Sequence, residues 1–171
     1  AGMDFGDADY TTKTAMLDAV IMSCEAAITY AKRYAELAAK MAQSESDSAR
    51  RAELLKIAEN CSRVPEFGAT SFYEACQSFW FVQMLLQVES SGHSISPGRF
   101  DQYMYPYYKA DIDAGKITKE FAQELMDCVW VKLNDLSKCR DAASAEGFAG
   151  YSMFQNLIAG GQTPEGEDAT N

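Results

Sequence analysis

His93 is the only histidine among the 171 residues, and it lies in the stretch richest in groups that could do chemistry. Between Val88 and Tyr108 the chain carries Ser94, Ser96, Arg99, Asp101, two of its four prolines (Pro97 and Pro106), Gly92 and Gly98, and four of its nine tyrosines. Imidazole and hydroxyl can each donate and accept a hydrogen bond. The adjacent pair His93 and Ser94 could therefore fix a hydroxylated ligand in one orientation. Taken alone, a loop histidine more often bonds nearby backbone, and Ser94 and Ser96 are also ordinary turn formers. Arg99 and Asp101 have the charges to orient an anion, but fixed local hydrogen bonds, with Asp111 or Asp113 as partners, are the plainer reading. Tyr103, Tyr105, Tyr107 and Tyr108 read as packing around Pro106 rather than as a cation cage.

Cysteine chemistry is not indicated. The five cysteines, Cys24, Cys61, Cys76, Cys128 and Cys139, are odd in number and widely spaced. Cys24, Cys76 and Cys128 fall within apolar helical patterns, where a free thiol behaves as a small hydrophobe. Neither a disulfide framework nor a metal site is expected, and a reducing cytoplasm fits such a set.

Composition narrows the partners. A net charge of −10 and a pI near 4.5 oppose binding to nucleic acid or to an anionic membrane. The most apolar run, Phe79 to Val88, is interrupted by Gln83 and Gln87 and is shorter than the roughly 20 residues of a membrane span. No transmembrane segment is expected. The acidic N-terminus lacks a signal-peptide pattern and reads as the cut end of a longer chain.

The elements that must hold the loop are helical. Leu17, Val20, Ile21, Cys24, Ala27, Ile28, Ala31, Tyr34, Ala35, Ala38 and Met41 recur at three- and four-residue steps. They predict a core-facing helix capped by Thr11 or Thr12 and running to about Gln43, roughly 45 Å long at 1.5 Å per residue. Residues 1–14 are expected to be a flexible N-terminal segment. A shorter helix is predicted from about Asp47 to Cys61, ended by Pro65. Ser71 and Glu74 have capping-box spacing and open a third helix, to Val88, so uniformly apolar that it should be buried all round. Beyond the loop, a short helix over Arg99 to Met104 is expected to be interrupted by Pro106, with a further turn or two to Ala114. Thr118 should cap a fifth helix running to about Lys138, and Tyr151 to Ala159 reads as one short strand. Asp168 to Asn171 has the residue types of a helix start, as truncation would leave.

The loop from Glu89 to Tyr108, with its Gly-His-Ser-Ile-Ser-Pro-Gly-Arg-Phe-Asp-Gln core, resembles the glycyl radical enzymes, the superfamily of pyruvate formate-lyase. So do the stretches Ser23 to Tyr30, Ser71 to Trp80, Val131 to Asp135, Gln155 to Gln162 and Gly166 to Asn171. Within that superfamily the sequence most resembles the cobalamin-independent glycerol and propanediol dehydratases. The resemblance implies a mainly α chain: a helical internal fragment of an α/β barrel, forming a single partial domain over residues 1–171 with one short strand near 151–159. It implies a parent lyase that dehydrates a small diol such as glycerol or 1,2-propanediol, with His93 and Ser94 as the substrate-binding pair. It implies a protein-derived glycyl radical and neither metal nor cobalamin. The implied partners are a separate S-adenosylmethionine radical activating enzyme and a second subunit of a homodimer, in the cytoplasm or inside a bacterial microcompartment.

The sequence departs from the family where the radical is handled. The radical cysteine of the family has a glutamate two residues on, and none of the five cysteines here does. The radical glycine lies in an Arg-Val-x-Gly-Tyr motif. Arg63 to Phe67 has Glu66 at the glycine position, and Gly150 and Tyr151 lack the Arg-Val. The fragment is therefore expected to carry a substrate-side loop, to have no catalytic residue, and to be inactive alone. The alternatives are a piece of another glycyl radical enzyme (a choline lyase, a sulfonate lyase or a formate acetyltransferase) and a stand-alone helical interaction module presenting Phe72 to Val88.

Overall fold

The computed structural model describes residues 5–6, 8–90, 95–136, 141–147 and 155–170. Two compact units result, Ala1–Ser62 and Arg63–Asn171.

The first unit is built on two helices, α1 (Tyr10–Ser44) and α2 (Ser48–Arg63), the last residue of α2 falling in the second unit. Helix α1 begins at Tyr10, with Asp9 rather than a threonine at its N-cap, so it takes in residues 10–14 of the segment expected to be flexible. Its buried positions are Ala31, Ala35, Ala38 and Ala42, a stripe of small side chains at helical spacing. The N-terminal half departs from expectation. Leu17, Val20, Ile21 and Cys24 were expected to face a core, yet all four are exposed, as is Met22 at 68%. Helical period identifies a coherent apolar face; whether something covers it depends on the surroundings. By length and composition α1 is also long and apolar enough to cross a membrane, with a mean hydropathy of 1.2 over 18 residues. The expectation of no such segment rested on the shorter Phe79–Val88 run. An interior helix of a large protein meets the same criterion.

The second unit contains the described core. Helices α3 (Phe72–Glu89), α4 (Phe100–Asp113) and α5 (Lys119–Asp135) bury Phe72, Ala75, Cys76, Phe100, Met104, Ala122, Leu125 and Val129 together. Rings set edge to face join them: Phe79 to Phe100 at 4.8 Å and Phe72 to Tyr108 at 5.6 Å, each contributing about 0.5–1.5 kcal/mol beyond area burial. Helix α6 (Ala142–Gly147), which sequence pattern did not anticipate, starts where Asp141 Oδ1 accepts the Ser144 N–H. Two short strands, β1 (Gly98–Arg99) and β2 (Leu157–Ile158), pair in parallel, Gly98 opposite Leu157. Of the strand expected over 151–159, residues 157–158 form β2, and 151–154 lie outside the described residues.

Caps explain where the helices start. Ser71 Oγ accepts the Glu74 N–H at 3.1 Å, and Thr118 Oγ1 accepts the Phe121 N–H at 3.1 Å. The Glu74 carboxylate does not complete the box as predicted. It accepts from Thr70 N, Thr70 Oγ1 and Arg63 Nε, and so ties the turn before α3. Pro106 does not interrupt α4, which runs unbroken through it. An interior proline costs about 3 kcal/mol; here Phe100 and Met104 on one side of it and Asp111 on the other are all anchored in the packed unit. Asp111, 2% exposed, accepts the Phe72 N–H at 2.7 Å and faces Lys116 Nζ at 3.5 Å.

Helix α3 inverts the expected pattern. Gln83 and Gln87 are buried, while Val82, Leu86 and Val88 are exposed. The helix is not buried all round, and the side it buries there carries its amides.

Asp111→Ala would leave the Phe72 N–H buried without a partner. We expect a loss of about 1–3 kcal/mol, read as a lowered urea midpoint at unchanged m-value, whereas Thr118→Ala, a cap removal, should cost about 1 kcal/mol.

Candidate functional site

The loop that follows α3 is gripped just after the predicted binding pair. His93 and Ser94 lie outside the described residues, as do Cys139, Gly150 and Tyr151. Ser94 is bonded to Ile95, and the Ile95 carbonyl accepts from two side chains of α3: Gln83 Nε2 at 2.8 Å and Gln87 Nε2 at 3.3 Å. The two glutamines are one helical turn apart, so their side chains lie on one face. They are 4% and 1% exposed, respectively. Gln83 Nε2 also donates to Gln155 Oε1 at 3.0 Å, and Gln155 Nε2 donates to Leu133 O of α5 at 3.2 Å. One residue on, the Asn156 N–H donates to Ser96 Oγ at 3.2 Å. Neutral amides thus join α3, the loop, the approach to β2 and α5. The sequence signal for this cluster was available: two glutamines four apart are the polar interruptions of an otherwise apolar run.

Past β1 the loop is fixed from another side. Arg99 Nη2 donates to Gln162 O at 2.9 Å, Gly160 N donates to Asp101 Oδ2, and Gln102 Nε2 donates to Ala169 O at 2.7 Å. Arg99 and Asp101 do make fixed hydrogen bonds, but not with Asp111 or Asp113. Asp111 is committed to Phe72 N, and Asp113 pairs with Lys109 at 2.7 Å. The Arg-Phe-Asp-Gln sequence is a latch on the C-terminal segment. Gly160 has φ +72°, and a Cβ there would lie 3.3 Å from Thr170 Oγ1, so a side chain would be strained in both backbone and contact. The Gly160 N–H bond holds the Asp101 carboxyl below its ordinary value, aided by Gln102 and Arg99 and opposed by desolvation.

Tyr107 and Tyr108 pack against the core, whereas Tyr103 and Tyr105 are exposed. Tyr103 stacks edge-on to Phe100 and donates to Pro97 O at 3.1 Å, and desolvation pushes its hydroxyl up to about 12. Tyr105 lies against Tyr108. Among the cysteines, burial pushes Cys61 up to about 11 and Cys76 to about 12, with the neighbouring Cys128 adding to the second. Both thiols are therefore protonated at neutral pH and poor nucleophiles. Cys128 is exposed rather than packed, like Cys24. Among the described residues no group of three or more His, Cys, Asp or Glu side chains is placed to hold a metal.

A groove of about 500 Å³ opens between α4, α5 and β2, lined mainly by apolar side chains such as Phe72, Met104, Met126 and Trp130. Asp101 and Lys119 are its charged members. Ile95 and the glutamines of α3 do not line it.

The pyruvate formate lyase-like family profile matches residues 1–171. The chain belongs to that family. It superposes with a TM-score of 0.94, at 69% identity over 99% of its length, on 21% of a structure that describes 1,2-propanediol dehydration in Roseburia inulinivorans. It is 58% identical, with a TM-score of 0.90 over 97% of its length, to 21% of the glycerol-bound B12-independent glycerol dehydratase of Clostridium butyricum. A third relative, the isethionate sulfite-lyase of Desulfovibrio desulfuricans, is 46% identical over 95% of this chain and 20% of that protein. The chain thus spans about a fifth of these relatives. The mainly α architecture of a glycyl radical enzyme fragment is the one observed. The superfamily relies on a protein-derived glycyl radical, and the motifs that would carry the radical glycine and its cysteine partner are absent from these 171 residues.

Because the folded value of Asp101 lies below the unfolded one, its bond to Gly160 contributes stability above the unfolded value, and that contribution is lost as pH falls through the depressed folded value. The Gly160 amide proton shift should follow an acid transition whose midpoint lies below 3.8, the ordinary aspartate value. In Asp101→Asn this acid transition should vanish from an NMR titration.

Proposed function

We propose that this chain is the substrate-side segment of a glycyl radical lyase that dehydrates a small diol, glycerol or 1,2-propanediol, with His93 and Ser94 as the hydroxyl-binding pair. The supporting observation is the gap in similarity: 69% and 58% identity to two diol-dehydratase structures, against 46% to an isethionate sulfite-lyase. The chemistry agrees. A vicinal diol needs directed donors and acceptors to decide which hydrogen is presented for abstraction, and imidazole beside a hydroxyl supplies both kinds. Each diol hydroxyl without a partner in an otherwise apolar cavity costs about 1–3 kcal/mol, which selects for the diol over a mono-alcohol.

Residues of this chain bind and orient; none has the motif to host the radical, and no step of radical transfer runs through them. The radical, when installed elsewhere in the enzyme, supplies hydrogen abstraction. Loss of water then follows with a base outside this chain. The segment alone is inactive. The whole enzyme works as a homodimer in the cytoplasm or a microcompartment and is activated by a separate S-adenosylmethionine radical protein. In it, the apolar face of α1 around Met16, Leu17, Val20 and Ile21, exposed in this chain, is covered by the remainder of the protein.

In the activated full-length enzyme, His93→Ala and Ser94→Ala should each raise KM for glycerol and 1,2-propanediol about ten- to a hundredfold, with the radical yield in the EPR spectrum unchanged. Turnover of isethionate in place of either diol, or diol kinetics untouched by both substitutions, would sink this reading.

A further inference from the structure

We propose that Cys76 and Cys128 form a thiol modification site, at which a low-molecular-weight disulfide reacts first with Cys128 and the pair then closes to a disulfide that staples α3 to α5. Both residues belong to the second unit, and neither lines the groove between α4, α5 and β2. The proposal does not depend on the diol reading.

Register brings the two thiols into one stretch of the α3–α5 seam. Two contacts between these helices bracket them. The rings of Tyr73 and Phe121 meet edge to face with centroids 6.0 Å apart. Farther along both helices, Lys132 Nζ lies 5.9 Å from the centroid of the Trp80 ring. The order of these contacts makes α3 and α5 parallel. Residues three, four or seven apart share a helix face. Tyr73, Cys76 and Trp80 form such a stripe on α3, and Phe121, Leu125, Cys128 and Lys132 form one on α5. Cys76 and Cys128 therefore lie on the facing stripes, between the two contacts. The seam is narrow there. Ala75 and Ala122 are buried in it beside Cys76, Leu125 and Val129, and Cα atoms of the two helices come within 8 Å. A disulfide needs Cα atoms roughly 4.4–6.8 Å apart, a spacing that small side chains allow. Cys128 also acts electrostatically on Cys76.

Access sets the order of reaction. Cys128 is exposed and Cys76 is 5% exposed, so a dissolved reagent meets Cys128 first. Burial pushes the Cys76 thiol up to about 12, which makes it inert toward dissolved reagents. Toward a sulfur in its own seam it acts at high effective concentration. The steps balance. The Cys128 thiolate attacks one sulfur of RS–SR, forming a mixed disulfide and expelling RS⁻. Cys76 gives its proton to solvent and attacks the Cys128 sulfur, and the second RS⁻ leaves. The protein dithiol loses two electrons, the reagent disulfide gains them, and the two thiolates released take up the two protons.

The test uses the full-length protein before radical activation. It is incubated with glutathione disulfide, quenched in acid, alkylated, and digested without reduction for mass spectrometry. Wild type should show glutathione on Cys128 and then a linked peptide pair joining Cys76 to Cys128, which dithiothreitol removes. Cys61, also buried, should stay unmodified. Cys76→Ala should keep glutathione on Cys128 without closing, and in Cys128→Ser the modification of Cys76 should slow about a hundredfold or more. The closed form should exchange the core amide hydrogens of α3 and α5 about thirtyfold more slowly than the reduced form. Glutathione on Cys128 with no linked pair in wild type overturns the proposal. So does a Cys128 that stays unmodified in the folded protein while reacting in urea, or a Cys76 modified at the wild-type rate in Cys128→Ser. Unchanged exchange in the closed form overturns the staple. If Cys76→Ala does not accumulate, wild type and Cys128→Ser, which is altered only at an exposed position, decide by the same peptides.

Discussion

The carbonyl of Ile95 is the point on which the described half of the loop turns. Two amides of α3 reach it, a third amide braces the first, and residues 98–102 proceed from there into β1 and the first turn of α4. Among the described residues that carbonyl is where the α3 glutamines meet the loop the helix leads into, while Val82, Leu86 and Val88 at this end of the helix are exposed. Packing holds α3 against α4 and α5 through Phe72, Ala75, Cys76 and Phe79. The last two turns add the hydrogen bonds of Gln83 and Gln87 to the half-buried Met84 and Leu85. The helix therefore changes its mode of attachment along its length, from an apolar seam alone at the N-terminal end to a seam with an amide clasp at the C-terminal end.

That division follows from what each end must do. Apolar contact is non-directional and tolerates small slides; it suits the part of α3 that only builds the core. A hydrogen bond weakens steeply with angle and so transmits orientation. Asp111 does for the start of α3 what the glutamines do for its end, by taking the Phe72 N–H. Both ends of the helix are pinned by buried polar side chains, and the apolar middle fills the space between. The same logic places Asp101 at the start of α4, where its charge meets the Gly160 amide and favours the helix N-terminus as well.

Helix existence was legible in the sequence because period and caps are local. Ser71 and Thr118 cap where their spacing says they should. Some failures are local, as where Glu74 turns to Thr70 and where Asp141 opens the unanticipated α6, but the larger ones involve partners distant in sequence. The exposure of Leu17 and Val20 depends on what surrounds α1, which its own period cannot reveal. Continuity of α4 through Pro106 depends on packing that outweighs a local penalty. The partners of Arg99 and Asp101 lie about sixty residues away, so the nearby Asp111 and Asp113 were natural but mistaken candidates. Buried Gln83 and Gln87 were read as breaks in a run rather than as its purpose. Resemblance to a family recovered what local physics could not, since it treated the Arg-Phe-Asp-Gln stretch and the Ala-Gly-Gly-Gln stretch as marks of one lineage before the latch between them was known.

The latch also bears on how the chain tolerates change in length. Asp101 and Gly160 are 59 residues apart, so the latch closes a long loop containing most of α4, all of α5 and α6, and β2. Closure entropy grows only logarithmically, and doubling such a loop costs about 0.6 kcal/mol. The latch is made entirely of contacts to backbone atoms, Gly160 N, Gln162 O and Ala169 O, so it constrains few side chains of the segment it catches. Insertions between α5 and β2 can therefore accumulate at little thermodynamic cost, while a side chain at Gly160, where the latch closes, would be strained.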